Sequence, residues 1–448
     1  MQNSRKVAVV LAIAALTGGL LTASAHAQGN TLNGLTVNDS AISGIHSFVR
    51  SHPQSFGGSY QDEKTHTVHV LTVPGSDTAT DMAGLTSAAR AQISAAPAAS
   101  RDHAWKVVTE TARYNLKTIN SVRDQLTAAS SDFAARAGNN LTVWYSDPLT
   151  DSVRVGVSKV TPELRRAAEA EFGDKVTLFQ EARHHSMDKL TRINRAPSFQ
   201  RVATGSKNGQ AAARSTAATA TRLLDSAPYA GGDRIVSQQV INGGNYIVQC
   251  TVNFDFTMNS GSPSMGTAGH CGATGISWQQ GYYDGSAKTI HYTGTMGKTY
   301  TRQWGNNRTD AELLNDTGNS HGFWTQVYID NTTLSDVGSV DPASVGERSC
   351  SDGSFTGQNC SGTISAADVC ENINDDGTIF KVCNLDIAKS GTRLVQSGDS
   401  GGPVYLANGH TVHPQGVISA GSTNGLELDF SDMGFVDITM GGYPEPTH

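Results

Sequence analysis

One serine of this chain, Ser400, stands among small and turn-prone residues in "LVQSGDSGGPVYL" (Leu394 to Leu406). An uncharged hydroxyl is a poor nucleophile. It attacks a carbonyl only with a general base beside it and donors aimed at the developing oxyanion. The base should be a histidine held by a carboxylate. Of 14 histidines, His270 has a distinctive frame, "MGTAGHCG", in which Cys271 follows it directly. Cys250 in "NYIVQC" is the natural disulfide partner, and that bridge would staple the loop carrying the imidazole to a neighbouring strand. A His-Cys pair also ligates metals, but there is no second pair at zinc spacing, so neither metal nor other cofactor is expected. The carboxylate candidate is Asp310 in "GNNRTDAELL": a polar turn precedes it, and Ala311, Leu313 and Leu314 would bury it at the edge of a core. Asp284 and Asp316 are weaker rivals, each in a polar, turn-like neighbourhood.

These residues need rigid carriers, and the chain after Tyr229 offers short strands. "NYIVQCTVNFDF", "KTIHYTGTM", "FWTQVYID", "GTISA", "GVISA" and "GFVDI" are separated by Gly, Asn, Asp and Ser turns without intervening helices. That texture predicts an antiparallel sandwich or barrel. The earlier part is built differently. "THTVHVLTV" (Thr65 to Val73) reads as a strand, and "LTVWYSDPLTDSVRVGV" (Leu141 to Val157) as two strands around Asp147-Pro148. "TPELRRAAEAEFGD" then predicts a helix with Thr161 as N-cap, Pro162 at its first position and Gly173 at its stop. "KVTLF" returns as a strand. Tyr60-Gln61-Asp62 with its turn, strand and helix is echoed by Tyr145-Ser146-Asp147, 85 residues later. Between the two, Asp102 to Leu126 reads as one longer amphipathic helix. Residues 28–200 are thus an α+β module with a repeat inside it. The Ala-, Ser- and Thr-rich stretch within 201–227 reads as an exposed linker open to proteolysis.

Bulk properties bound the rest. The 448 residues carry 33 Lys+Arg against 40 Asp+Glu, a net charge of −7, and no basic stripe argues for nucleic acid. Residues 1–27 have Arg5 and Lys6, an apolar run from Val7 to Leu21 and an Ala25-His26-Ala27 cleavage pattern: a secretory signal, short for a membrane span. The protein is expected outside the cell, free of the membrane once the signal is removed. All six cysteines lie between Cys250 and Cys383, and an even count in an exported chain reads as disulfides.

"TAGHC", then a buried aspartate, then "GDSGGP" resembles the pattern of chymotrypsin-like serine proteases. "SCSDGSFTGQNCSGTI" (Ser349 to Ile364) is similar to the secreted bacterial branch, the streptogrisin and α-lytic protease type. The resemblance runs from about Tyr229 to Ile438, and "YAGGDRIV" looks like the start of such a mature enzyme. It implies an all-β protease domain over 228–448, with two antiparallel six-stranded β-barrels, preceded by an α+β pro-region that helps folding and blocks the cleft. It implies His270 as general base, Asp310 as its orienter and Ser400 as nucleophile, with the backbone N–H groups of Gly398 and Ser400 as oxyanion hole. Ser419, Ala420 and Gly421 in "GVISAGS" would pair with an extended substrate backbone. Asp399 would turn inward and hold the loop through a buried ion pair or hydrogen bonds, and Gly401 and Gly402 would turn the chain behind the nucleophile. Maturation is expected between 222 and 231.

The chain also departs from the branch. Cys350 and Cys360 fit its local disulfide, but its pocket disulfide is missing: Leu394 and Gly425 stand at those positions. Cys370 and Cys383 bracket "ENINDDGTIFKV" instead, and the expected pairs are 250–271, 350–360 and 370–383. Leu394 and Val395, with small Ala420 and Gly421, imply an apolar slot for large hydrophobic side chains, which Glu427 and Asp429 are close enough to overturn. Ser351 occupies the position of the arginine that often pairs the inward aspartate, leaving Arg348 or Arg393 for Asp399. The function expected is a monomeric secreted endopeptidase acting on proteins or peptides through an acyl-enzyme. The rivals are a serine esterase, which needs a helix after G-x-S-x-G, and a catalytically silent binding protein of the same fold.

Overall fold

The faint internal repeat is structural. Phe56–Asp62 and Thr67–Thr72 pair as an antiparallel hairpin, a helix over Ser76–Ala95 crosses over, and Trp105–Thr111 returns parallel to Thr67–Thr72. Leu141–Asp147, Ser152–Val157, the helix Pro162–Phe172 and Val176–Gln180 repeat that order and those directions. Local chemistry fixes the second helix. The Thr161 side chain accepts from the Leu164 N–H, Pro162 opens the helix, Gly173 ends it at φ 63°, and Leu164, Ala168 and Phe172 line its buried stripe. The long helix expected over Asp102 to Leu126 is a strand, Trp105–Thr111, followed by a shorter helix, Leu116–Thr127. The β-branched run Val107-Val108-Thr109 favours the strand, and Trp105 and Val107 bury on one face of the sheet. The computed structural model describes residues 32, 34–95, 104–128, 132–202, 221–315 and 322–447. The signal segment, most of the linker and Asp316 lie outside them.

The carriers of the catalytic candidates are β. Six strands close into a barrel in which each pairs antiparallel with its neighbours: Arg348–Gly353, Gly357–Asp375, Thr378–Lys389, Glu427–Asp432, Thr411–Gly421 and Pro403–Asn408, the last returning to the first. The other carrier is a ten-stranded sheet of the described residues that includes Arg234–Ile241, Gly244–Thr251, Pro263–Thr267, Ser277–Asp284, Thr289–Gln303 and Ala311–Asn315. Phe254, Phe256, Trp278, Met265 and Leu314 fill its core, which continues through Cys350, Tyr405 and Val417 into the closed barrel. Disulfides join Cys250 to Cys271, Cys350 to Cys360 and Cys370 to Cys383.

The N-terminal module is bound to both carriers. Its second unit adds Leu141–Asp147 to the edge of Gly357–Asp375, placing Trp144 opposite Cys370 and Val143 opposite Glu371. Lys189–Arg192 pairs antiparallel with Gly244–Thr251, and Ser198–Arg201 lies parallel to Thr289–Gln303. Between the Leu141–Asp147 attachment on the barrel and Lys189–Arg192 on the other sheet the chain crosses the junction of the two. Among the described residues no helix is long and apolar enough to span a membrane.

Candidate active site

His270, Asp310 and Ser400 come together at that junction, from three separate loops. Asp310 precedes the strand Ala311–Asn315 and is fully buried. Its Oδ2 accepts from His270 Nδ1 at 2.7 Å and from the Ser419 hydroxyl at 2.5 Å, and its Oδ1 accepts from the His270 backbone N–H at 3.0 Å. Ser431 Oγ accepts from the Asp310 N–H and donates to its carbonyl. The carboxylate thus fixes both the loop and the tautomer of the imidazole, leaving Nε2 toward Ser400 Oγ at 2.7 Å. Trp304 packs beside the ring, centroids 5.1 Å apart. Burial pulls the His270 pKa down, but the Asp310 carboxylate, with Asp188 and Asp375 nearby, outweighs it and raises it to about 9. Asp284, the rival carboxylate, sits in an exposed turn, accepting from the N–H groups of Ser286 and Ala287.

The Ser400 loop is wedged between the two carriers. Thr251 donates its N–H to Ser400 O at 2.8 Å and its hydroxyl to Gly398 O at 3.0 Å, while Gly401 N–H donates to Ile418 O. Gly398 has φ +105°, and a Cβ there would lie 2.2 Å from the Phe355 ring, so both the backbone conformation and the ring exclude a side chain. Asp399 is buried and held by hydrogen bonds, the second of its two expected modes, and not by Arg348 or Arg393. Its carboxylate accepts from the N–H groups of Phe355, Thr356 and Gln396 and from the Thr356 hydroxyl. Burial raises its pKa, and these donors counter the rise only in part. Arg348 instead faces Glu63, and the backbone of Arg393 accepts from Asn359. The buried ion pair of this region joins Arg222 to Asp352 at 2.7 Å, with Arg222 also donating to three backbone carbonyls. The strand Pro403–Asn408 follows the loop, so the strand–turn–helix setting of an α/β-hydrolase elbow is not what holds Ser400.

The cleft is filled by the chain's own residues. His185–Ser186 pairs antiparallel with Ala420 and Gly421, and the Met187 N–H donates to Ser419 O at 3.2 Å. The Met187 carbonyl oxygen accepts from the Gly398 N–H at 2.5 Å and the Ser400 N–H at 3.2 Å. Its side chain is 6% exposed and packs with Leu394, Val395, Ile418 and Leu428. A Cβ on Gly421 would meet the Glu427 carbonyl at 2.6 Å, Val395 at 2.7 Å and the Met187 methyl at 3.4 Å, so this glycine leaves the slot open. Glu427 and Asp429 do not line that slot; they face His184, three residues before Met187. Past Met187 comes Asp188, whose pKa is raised to about 6 by burial, and then the Lys189–Arg192 strand. Nothing in "ARHHSMDKLTR" marks this segment as an occupant, since its pairing is long-range. Its start in the cleft was therefore missed by reading the sequence.

No family model and no curated protein matches the chain. Solved structures do. Nocardiopsis protease is 24% identical over 48% of this chain and 96% of its own length, with a TM-score of 0.35. Thermobifida fusca protease A is 22% identical over 49% and 100%, TM-score 0.36, and Cellulomonas bogoriensis chymotrypsin 25% identical over 48% and 98%, TM-score 0.35. These neighbours are bacterial chymotrypsin-like serine proteases at low identity. They span about half of this chain, and with TM-scores below 0.5 the chemistry is read from its own residues.

Proposed function

We propose that this chain is a secreted serine endopeptidase, made as a proenzyme whose residues 28–200 form a pro-region that assists folding and fills the cleft. What carries the reading is the Met187 carbonyl, held by two backbone donors beside a serine hydroxyl that is itself hydrogen-bonded to an aspartate-backed histidine. Ser400 Oγ attacks the Met187 carbonyl carbon while His270 Nε2 takes its proton. The oxyanion forms on the Met187 oxygen, against the N–H groups of Gly398 and Ser400. Collapse breaks the Met187–Asp188 bond and returns the proton from His270 to the Asp188 nitrogen. Water then hydrolyses the acyl ester, with His270 again as base. The substrates in trans are extended protein or peptide segments with a large apolar residue in the Met187 slot, and the protease acts as a monomer.

The first bond cut is Met187–Asp188. The window 222–231 favoured by the sequence begins with buried Arg222 and ends in the strand Tyr229–Gly231, whereas Met187 lies against the nucleophile. The test is expression of the full chain beside Ser400→Ala. The wild type should yield a fragment beginning at Asp188 and, once the N-terminal fragment is digested, label at Ser400 with a fluorophosphonate; His270→Ala should do neither. A folded wild-type chain that stays intact and unlabelled overturns the reading.

A further inference from the structure

His184 is buried in a pocket of carboxylates beside the cleft. Its Nδ1 lies 2.7 Å from Asp429 Oδ2 and 3.1 Å from Glu371 Oε1, and its Nε2 lies 3.5 Å from Glu427 Oε2. Glu371 and Asp429 are fully buried, and both Glu371 carboxyl oxygens and Asp429 Oδ1 find no hydrogen-bond donor. Lys389 pairs with Glu427 at 2.9 Å, which leaves Glu371 and Asp429 to the imidazole. The backbone at this point is held as a substrate's would be. Asn374 N–H donates to His184 O at 3.0 Å, and the next residue, His185, pairs with Gly421. Glu371 comes from the hairpin stapled by Cys370–Cys383, Glu427 and Asp429 from the barrel strand behind it.

We propose that Glu371, Asp429 and Glu427 form a specificity pocket for the fourth residue on the acyl side of the scissile bond, and that this pocket selects a cationic side chain. The proposal rests on the protease reading above and adds the substrate class: segments with histidine, arginine or lysine there and a large apolar residue at the cut. The physical cause is the cost of holding Asp429 beside Glu371 without a positive partner once His184 departs: burial and Asp429 push the Glu371 carboxyl up to about 7, so without a cation the pair must take up a proton to stay buried. A cation arriving with substrate restores the pair. A neutral side chain leaves the pair without a cation, and an acidic one adds another buried carboxyl to Glu371 and Asp429. In the uncut chain the balance lies with the imidazolium: burial alone would lower the His184 pKa, but Asp429 and Glu371 raise it well above the ordinary value. Glu427, held by Lys389 as well as His184, is kept down at about 2.

The test uses enzyme matured from the full chain and four internally quenched peptides, Arg-, His-, Ala- and Glu-Ala-Ser-Met followed by Asp-Lys-Leu. The Arg peptide should exceed the Ala peptide in kcat/KM by roughly tenfold or more, and the Glu peptide should fall below Ala. In Glu371→Gln and Asp429→Asn the Arg-to-Ala ratio should drop toward one. Equal kcat/KM for Arg, Ala and Glu peptides with the wild-type enzyme overturns the proposal, and this series decides it even if neither variant folds. The series is repeated with EDTA. A preference lost on chelation would assign the pocket to a divalent ion and overturn it too. Failure of the protease reading looks different: no peptide of the four is cut and the chain stays whole.

Discussion

His270 cannot act as a base while it carries the extra proton that Asp310, Asp188 and Asp375 favour. Its pKa near 9 is raised, so the imidazolium persists below that value and the neutral base grows in as pH climbs through it. Cleavage of Met187–Asp188 should therefore accelerate from pH 7 toward pH 9. Asp188→Asn removes one of the carboxylates that hold the proton, so the midpoint of that profile should shift to lower pH. Processing rates followed by gel across pH decide it, and an unmoved midpoint would separate Asp188 from the proton's control. Asp310→Asn should act more severely, lowering the processing rate by roughly 10³- to 10⁴-fold, because the amide no longer fixes the tautomer that leaves Nε2 as acceptor. The meeting of these three residues was legible in the sequence because each sits in a local frame: His270 before a cysteine, Asp310 before an apolar run, Ser400 among glycines. Met187 has no such frame. Its place in the cleft arises from Gly398 and Ser419, more than 200 residues away, and no local pattern encodes that meeting.

The same division between local and distant causes separates the elements that sequence predicts from those it misses. The helix Pro162–Phe172 carries its own cap, first-turn proline and stop glycine, and all three act within the helix. The strand Trp105–Thr111 is decided by the hairpin beside it, which supplies Thr67–Thr72 as a parallel partner, so an amphipathic pattern alone misassigned it. The hairpin of Gly357–Asp375 and Thr378–Lys389 lies between these cases. Its cysteines were visible, but its two duties were not: it carries Glu371 to His184 and offers its edge to Leu141–Asp147. Replacing both Cys370 and Cys383 by serine removes a closure of 13 residues, worth about 2–3 kcal/mol in the unfolded chain. The uncut Ser400→Ala chain carrying this double change should unfold at a lower denaturant midpoint than Ser400→Ala alone. An unchanged midpoint would mean that strand pairing already supplies the constraint.

Across the whole molecule, one covalent chain threads the cleft and is anchored on both sides of the bond it presents. Upstream, His185–Ser186 adds to the strand ending at Gly421, and the Leu141–Asp147 strand extends the stapled hairpin. Downstream, Lys189–Arg192 and Ser198–Arg201 are strands of the His270-bearing sheet. Cutting Met187–Asp188 breaks none of these pairings, so the new carboxylate of Met187 stays between Gly398, Ser400 and the 419–421 strand. The N-terminal fragment also keeps its other docking points, including the Gln61 N–H on Val345 O and the Ser43 hydroxyl on Asp341. Cleavage is then necessary for activity without being sufficient for it. Freshly cut enzyme should elute with its N-terminal fragment at the mass of one intact chain and show little hydrolysis of a Met-containing peptide. Activity should rise only when that fragment is unfolded or digested. Met187→Asp tests the same anchoring from inside the slot. A carboxylate among Leu394, Val395 and Leu428 would be buried without a partner, so this variant should cut slowly and hold its cleft loosely. If instead the nicked complex is fully active as soon as Asp188 becomes a terminus, the inhibition resides in chain continuity alone and the strand pairings contribute nothing to it.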